Sequence, residues 1–125
     1  MSSSAQVTYS GVVREVGPMV PELLAAGVLI LFGMQAPPEL REVAIVHEGP
    51  PPTAPIAPGD VITLGTARYL VTGVGPMANA NFGELGHIVI KPNGATTTEL
   101  PGEVSVAETP LLVPTVGAEL SITTA

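Results

Sequence analysis

The two histidines are the residues of this chain best suited to chemistry. His47 ends a short run of apolar residues, Val43 to Val46, and is followed at once by a glutamate, a glycine and three prolines. An unprotonated imidazole nitrogen is a competent nucleophile near neutral pH, because the ordinary pKa of histidine is about 6.5. A histidine fixed at the end of a strand, beside a stiff loop, could therefore accept a transferred group.

The second histidine, His87, opens another apolar run in the segment "ELGHIVI". Each histidine also has an ordinary structural interpretation. His47 could be a solvent-exposed residue at a strand end, and His87 could be a hydrogen-bonded structural residue. The residues alone leave these alternatives open.

Other kinds of reactive site have little support in the sequence. There is no cysteine, and the two histidines stand forty residues apart with no paired carboxylates at ligand spacing, so no metal site is expected. The segment "GVGPMANANFGELG" contains glycines but lacks the lysine and hydroxyl residue that end a phosphate-binding loop. A GxSxG nucleophile turn is also missing. We therefore expect neither a metal nor an organic cofactor.

The charge of the chain restricts its partners. Four basic residues face eleven acidic ones, for a formal net charge of −7. Nucleic acid is an unfavourable partner, because no basic patch is available to neutralise phosphates. An acidic surface instead favours a basic protein partner, since complementary potentials accelerate encounter.

The apolar segments are too short for membrane insertion. The longest, Leu23 to Met34, has 12 residues, against the roughly 20 that a spanning helix needs. The segment "MSSSAQVTYS" has neither the basic nor the apolar region of a signal peptide. The expectation is a soluble, cytoplasmic protein with no direct membrane insertion.

Glycine and proline, 14 of each, divide the chain into short apolar runs rich in β-branched residues. Short strands separated by frequent turn signals are typical of an all-β barrel or sandwich. We predict a single domain over residues 1–125, built as a small closed or partly open β-barrel with one or two short helical turns. The expected helical turns are 21–27 and 79–86, and 48–59 is expected to be a stiff proline-rich loop. The expected strands are 7–16, 28–33, 42–47, 61–65, 68–74, 87–91, 103–107 and 119–123.

Longer stretches of the sequence follow a known pattern. The segment "FGMQAPPELREVAIVHEG" is followed by "PGDVITLGTARYLVTGVGPMANANFGELGHIVIKPNG" and then by "LPGEVSV". In order and spacing, from about Leu29 to Val106, these segments resemble the glucitol/sorbitol-specific IIA component of the bacterial phosphotransferase system.

The resemblance implies a small β-barrel that carries a phosphoryl group on a histidine. Such a protein accepts the group from the phosphocarrier HPr and passes it to a IIB component, for the uptake and phosphorylation of a hexitol. His47 matches the phosphorylated histidine, and His87 matches a second histidine expected beside it in the site. The chain departs from the pattern at Glu48, where family members often carry histidine or cysteine. A carboxylate there could repel an incoming phosphoryl group.

This hypothesis carries further expectations. The ring of His47 should be open to solvent, so that a partner can reach it. Arg41 and Arg68 are the basic residues nearest in sequence for charge compensation, with surface solvation as their alternative role. A docking face is expected to include Met34, Met77 and Phe82, whose alternative role is in the core. The competing interpretation of the whole chain is a non-catalytic β-barrel that acts as a binding module for a protein or small ligand, with His47 incidental. A second alternative is a regulatory module that takes the phosphoryl group as a signal but moves no sugar.

Overall fold

A computed structural model of the chain describes residues 5–125. Its strands and helices are short and follow one another closely. The strands are β1 (Val7–Val16), β2 (Leu29–Phe32), β3 (Ile45–Glu48), β4 (Val61–Leu64), β5 (Ala67–Val74), β6 (Ile88–Lys91), β7 (Glu103–Val106) and β8 (Glu119–Thr123). The helices are α1 (Val20–Ala25), α2 (Pro38–Arg41) and α3 (Ala78–Leu85).

The strands form a closed barrel in the order β1-β3-β2-β6-β7-β5-β4-β8, and the ring closes where β8 pairs with β1. Neighbouring strands are antiparallel except for β2 with β3 and β6 with β7, which are parallel. Each strand is therefore hydrogen-bonded on both sides. The prediction of a small all-β barrel with few helical turns is confirmed.

The alternation of side chains along the strands explains how this sequence closes a barrel. In β5, Ala67, Tyr69 and Val71 are buried, and the residues between them point outward. This period of two is the signature of a strand with one face in the core. The interior is filled mainly by aliphatic side chains, as a composition with few aromatic residues predicts. Fully buried members include Val13, Leu29, Leu31, Ile45, Ile62, Ile88, Ile90, Val104 and Leu120.

The segment before β3 differs from the prediction. The strand was expected from Glu42, but it begins at Ile45, and the short helix α2 precedes it. Pro38 suits the first turn of a helix because its backbone needs no N–H partner there. Arg41 then fixes the segment: its side chain donates to the carbonyl oxygen of Ala36 at 2.8 Å and to the carboxylate of Glu15 at 2.5 Å.

Two features of the fold position the candidate site. β3 lies between β1 and β2, and His47 on β3 stands opposite Val13 on β1. Helix α3 ends at Gly86, which adopts a left-handed conformation with φ of 67°. Glycine suits this cap because it has no Cβ to clash.

Within residues 5–125, every helix falls short of the length and apolar character needed to cross a membrane.

Candidate functional site

His47 occupies the predicted place near the end of a strand, but its exposure differs from the expectation. The residue is only 3% exposed. The prediction of a ring open to solvent is therefore wrong for this conformation. Any partner that reacts with the ring must approach it through a cleft.

Both ring nitrogens of His47 have hydrogen-bond partners. Nδ1 lies 2.7 Å from the hydroxyl of Tyr9, and Nε2 lies 2.7 Å from the carbonyl oxygen of Gly86. A carbonyl oxygen can only accept, so Nε2 carries the proton and donates it to Gly86. In a neutral ring Nδ1 then holds the lone pair and accepts from the hydroxyl of Tyr9. These two contacts fix the orientation and the tautomer of the ring.

The ring of His47 is neutral at neutral pH. Burial lowers its pKa, because a charged imidazolium loses solvation in the barrel wall, and the hydrogen bond to the Gly86 carbonyl opposes that shift in part. An uncharged ring retains a nitrogen lone pair. Burial therefore keeps this side chain in its nucleophilic protonation state.

Tyr9 reaches His47 from the neighbouring strand β1. Burial and the nearby negative charge of Glu48 raise the pKa of Tyr9 to about 12, so its hydroxyl stays protonated. Two glycines leave room for it. A Cβ at Gly11 would lie 2.5 Å from the Tyr9 oxygen, and one at Gly49 would lie 2.7 Å from it. The hydroxyl is thus enclosed by backbone that has no side chains at these points.

Phe82 of α3 covers one face of the imidazole. Its ring stacks on that of His47 with centroids 5.6 Å apart and an interplanar angle of 19°. The Tyr9 and Phe82 rings pack edge to face, with their centroids 5.1 Å apart. Phe82 is buried and so belongs to the support of His47, not to an exposed docking face. Aromatic contacts of this kind help to hold a side chain in one orientation.

A cleft leads from His47 to the surface. It has a volume of about 230 Å³ and also contacts Glu48, Pro50, Met34 and Leu85. Met34 is 40% exposed and Leu85 is 37% exposed, so the cleft has an apolar rim. His47 is therefore buried but still borders an opening. Met77, which was expected near it, is exposed but lies outside the cleft lining.

Charge compensation beside His47 comes from a residue that sequence reasoning passed over. Arg14 on β1 forms an ion pair with Glu48, with Nε 2.9 Å from Oε1. Both side chains are about half exposed. Arg41 instead pairs with Glu15, and Arg68 lies outside the cleft lining. The carboxylate next to His47 is thus matched by a cation.

His87 lies next to Gly86 in sequence, but its ring is directed to a different strand. Its Nδ1 donates to the carbonyl oxygen of Leu31 at 3.0 Å, and its ring stacks on Phe32 with centroids 4.6 Å apart. His87 is not among the residues that line the cleft. Its contacts are those of a hydrogen-bonded structural histidine one residue from the turn that holds His47.

The described residues offer no group of three or more histidine, cysteine, aspartate or glutamate side chains close enough to hold a metal ion.

A further ion pair joins Lys91 to Glu103, with Nζ 3.1 Å from Oε2, on the adjacent strands β6 and β7. Over residues 5–125, Arg68 is then the one basic side chain outside an ion pair.

Sequence reasoning missed Tyr9, Arg14 and Gly86. Tyr9 and Gly86 stand 38 and 39 residues from His47 in the chain, and only the closure of the barrel brings them to it. The left-handed glycine has a local signal, since "ELG" ends a short helical segment in the manner of a C-terminal cap. Arg14 has no comparable local signal.

Comparison with known proteins gives one consistent family. A family model described as "PTS system glucitol/sorbitol-specific IIA component" matches residues 8–121. Two relatives, from Shigella flexneri and from Escherichia coli (strain K12), are both called PTS system glucitol/sorbitol-specific EIIA component. Each is 35% identical to this chain over 101 residues, covering 81% of this chain and 82% of the relative.

A solved structure has a similar fold. It is the crystal structure of a PTS system IIA component from Enterococcus faecalis V583, with a TM-score of 0.80 and 26% sequence identity. The alignment covers 89% of this chain and 96% of the other. The similarity thus extends through almost the whole of both chains.

Proposed function

Because this chain belongs to the glucitol/sorbitol-specific IIA family of the phosphotransferase system, we propose that its His47 carries the phosphoryl group. In this proposal His47 accepts phosphate from phosphorylated HPr and passes it to a IIB component. One observation carries it: His47 is a neutral imidazole with a fixed orientation at the inner end of a surface cleft. The position of His47 near the end of its strand also fits the family resemblance, although the chain departs from the pattern at the next residue, Glu48.

The chemistry asks little of the protein beyond placement. Phosphoryl transfer between two histidines needs the acceptor nitrogen in line with the bond that breaks, and hydrogen-bond donors for the phosphoryl oxygens. The lowered pKa of His47 supports this role, because a protonated imidazole has no free lone pair with which to attack. No metal ion or organic cofactor enters the proposed reaction.

The proposed partners fit the surface around the cleft. Met34 and Leu85 offer apolar contact at its rim, and methionine adapts to more than one partner. The net charge of −7 favours a basic face on HPr and on the IIB component. Transfer of this kind belongs in the cytoplasm, which is the location we propose.

The test is phosphoryl labelling with phosphoenolpyruvate, enzyme I and HPr, followed on a phosphate-affinity gel. The wild-type chain should be labelled, and His47→Ala should not. His87→Ala is the matched control: we expect slower but complete labelling, because His87 adjoins the Gly86 turn without lining the cleft. Circular dichroism checks that both variants fold.

The outcome also decides between this proposal and the non-catalytic alternative. Undiminished labelling of His47→Ala would reject His47 as the acceptor. A folded wild-type chain that takes no label would favour the binding module. A chain that is labelled but does not transfer the phosphoryl group to IIB would favour the regulatory module.

A further inference from the structure

We propose that Tyr9 is a positioning residue for phosphoryl transfer: its hydroxyl keeps hold of Nδ1 of His47 while the Gly86 carbonyl releases Nε2 to attack. This inference rests on the proposed function of His47. It assigns a role to a tyrosine that makes one of the two 2.7 Å contacts to the ring.

The two partners of the ring differ in what they can accommodate. A carbonyl oxygen accepts only, so Gly86 can face Nε2 when that nitrogen carries a proton but not when it holds a lone pair. A tyrosine hydroxyl can donate or accept, so Tyr9 can serve Nδ1 in either tautomer. The contact that must break to free Nε2 is therefore the one to Gly86. The contact to Tyr9 can persist with its direction reversed.

The space around the two nitrogens favours the same assignment. Tyr9 belongs to β1, which is paired with β3 on one side and β8 on the other. The backbone at Gly11 and Gly49 is packed close to its hydroxyl. A phosphoryl group on Nδ1 would have to displace this hydroxyl from inside the barrel wall. The cleft borders Tyr9 as well as residues 83–86, but Gly86 belongs to the cap of a short helix and not to a strand that is paired on both sides.

The reaction then balances as follows. The ring first exchanges tautomers with solvent in the cleft: Nε2 gives its proton to water, and Nδ1 receives the proton of the Tyr9 hydroxyl, which regains one from water. The ring and the tyrosine thus keep their numbers of protons. The lone pair on Nε2 forms the new N–P bond, and the electron pair of the broken N–P bond returns to the donor histidine of HPr. The product ring is an imidazolium with phosphate on Nε2 and a proton on Nδ1, and its positive charge is offset by the negative phosphoryl oxygens. The Nδ1 proton is donated to the oxygen of Tyr9.

The environment of Tyr9 suits this reversal. Its raised pKa of about 12 keeps the hydroxyl protonated, so no charge develops on the tyrosine. When the oxygen accepts from Nδ1, its own proton needs another acceptor. The candidate acceptor in the same region is the Glu48 carbonyl oxygen, since a Cβ at Gly11 would lie 2.5 Å from the Tyr9 oxygen and 2.7 Å from that carbonyl oxygen.

The experiment compares Tyr9→Phe with Tyr69→Phe, because Tyr69 is the other tyrosine of the chain and is also buried. The Tyr69 hydroxyl accepts from the backbone N–H of Leu112, outside the cleft lining. Tyr9→Phe should lower the rate of phosphoryl acceptance about tenfold to a hundredfold, the effect of losing a hydrogen bond to a charged donor. Tyr69→Phe should leave that rate unchanged.

Nitrogen-15 NMR of labelled histidine adds a measurement that a general loss of stability does not alter. In the phosphorylated wild-type chain we expect phosphorus coupling at Nε2 and a proton on Nδ1. In phosphorylated Tyr9→Phe that Nδ1 proton should be lost at a lower pH, because its acceptor is gone. The wild-type spectrum decides the assignment even if the variant fails to fold.

The outcomes separate this inference from the proposed function. A wild-type chain that takes no label contradicts the role of His47 itself. Normal labelling with phosphate on Nδ1, or a Tyr9→Phe rate equal to that of the wild type, contradicts the role of Tyr9 alone. Phosphate on Nε2 with a slowed Tyr9→Phe variant supports both.

Discussion

Arg14 and Glu48 form an ion pair across β1 and β3, with their nearest atoms 2.9 Å apart. The register of the two strands shifts between Val13 and Glu15, so Arg14 is the extra residue of a β-bulge. Bulges re-aim side chains at such points. The carboxylate that follows His47 is therefore matched by a cation from another strand, and in the proposed function this pairing limits its repulsion of an incoming phosphoryl group.

We predict that Arg14→Gln slows phosphoryl acceptance by His47 and that adding Glu48→Gln restores it. The physical reason is the unmatched negative charge that the single variant leaves beside the ring. Stability should change by at most about 1 kcal/mol, because the pair is half exposed. Initial labelling rates at low and high salt measure the effect, which should shrink as salt screens it. Arg68→Gln is the control, and an equal effect there would contradict a local role.

A second prediction concerns acid pH. Burial lowers the pKa of His47 below 6.5, so the unfolded chain binds this proton more readily than the folded one. Stability from this group is complete above pH 6.5 and declines as the pH falls through the window down to the folded pKa. Urea midpoints at pH 7 and at about pH 5 measure this loss. His47→Gln should lose less stability over that interval, and an equal loss would contradict the assignment.

A third prediction concerns alkaline pH. Burial raises the pKa of both tyrosines, that of Tyr9 from 10.0 to about 12. The folded chain holds these protons after the unfolded chain has lost them, so stability is full below pH 10 and falls as the pH rises beyond it. Phenolate absorbance should therefore stay low until the chain unfolds. Absorbance that rises at pH 10 in a chain that remains folded would show tyrosines exposed to solvent.

A fourth prediction uses two glycines with similar backbone conformations. Gly86 and Gly27 have φ of 67° and 82°, so alanine at either position costs about 1–2 kcal/mol of backbone strain. At Gly27 the new Cβ meets nothing, but at Gly86 it lies 2.9 Å from the Gly33 nitrogen and 3.1 Å from Cε1 of His47. Gly86→Ala should therefore destabilise the chain more, as measured by urea unfolding. It should also slow phosphoryl acceptance, whereas Gly27→Ala should not.

Much of the fold could be predicted from the sequence, because strand periodicity is a local property. All eight expected strands have counterparts in the barrel, as do the two expected helical turns. The start of β3 was misplaced by three residues, because the apolar Val43 and Ala44 continue the strand pattern in sequence but belong to the turn between α2 and β3. The closed ring itself depends on pairs such as Val7 with Thr123, which no local pattern reveals.

The candidate site was predictable only in part, for a related reason. The position of His47 near a strand end follows from the apolar run before it. Its burial and its two hydrogen bonds depend on Tyr9 and Gly86, which come from distant segments. His87, placed in the site by resemblance, has its ring against Leu31 and Phe32 and stays a prediction as a functional neighbour.

The ion pairs described above have a consequence for concentrated solutions of the protein. Three of its four basic side chains are already engaged within the chain, so they are poorly available to acidic groups of another copy. Molecules that share a net negative charge and have few unpaired basic side chains repel one another, and the range of this repulsion is set by the ionic strength. The osmotic second virial coefficient should be strongly positive in dilute buffer and should decrease as electrolyte is added.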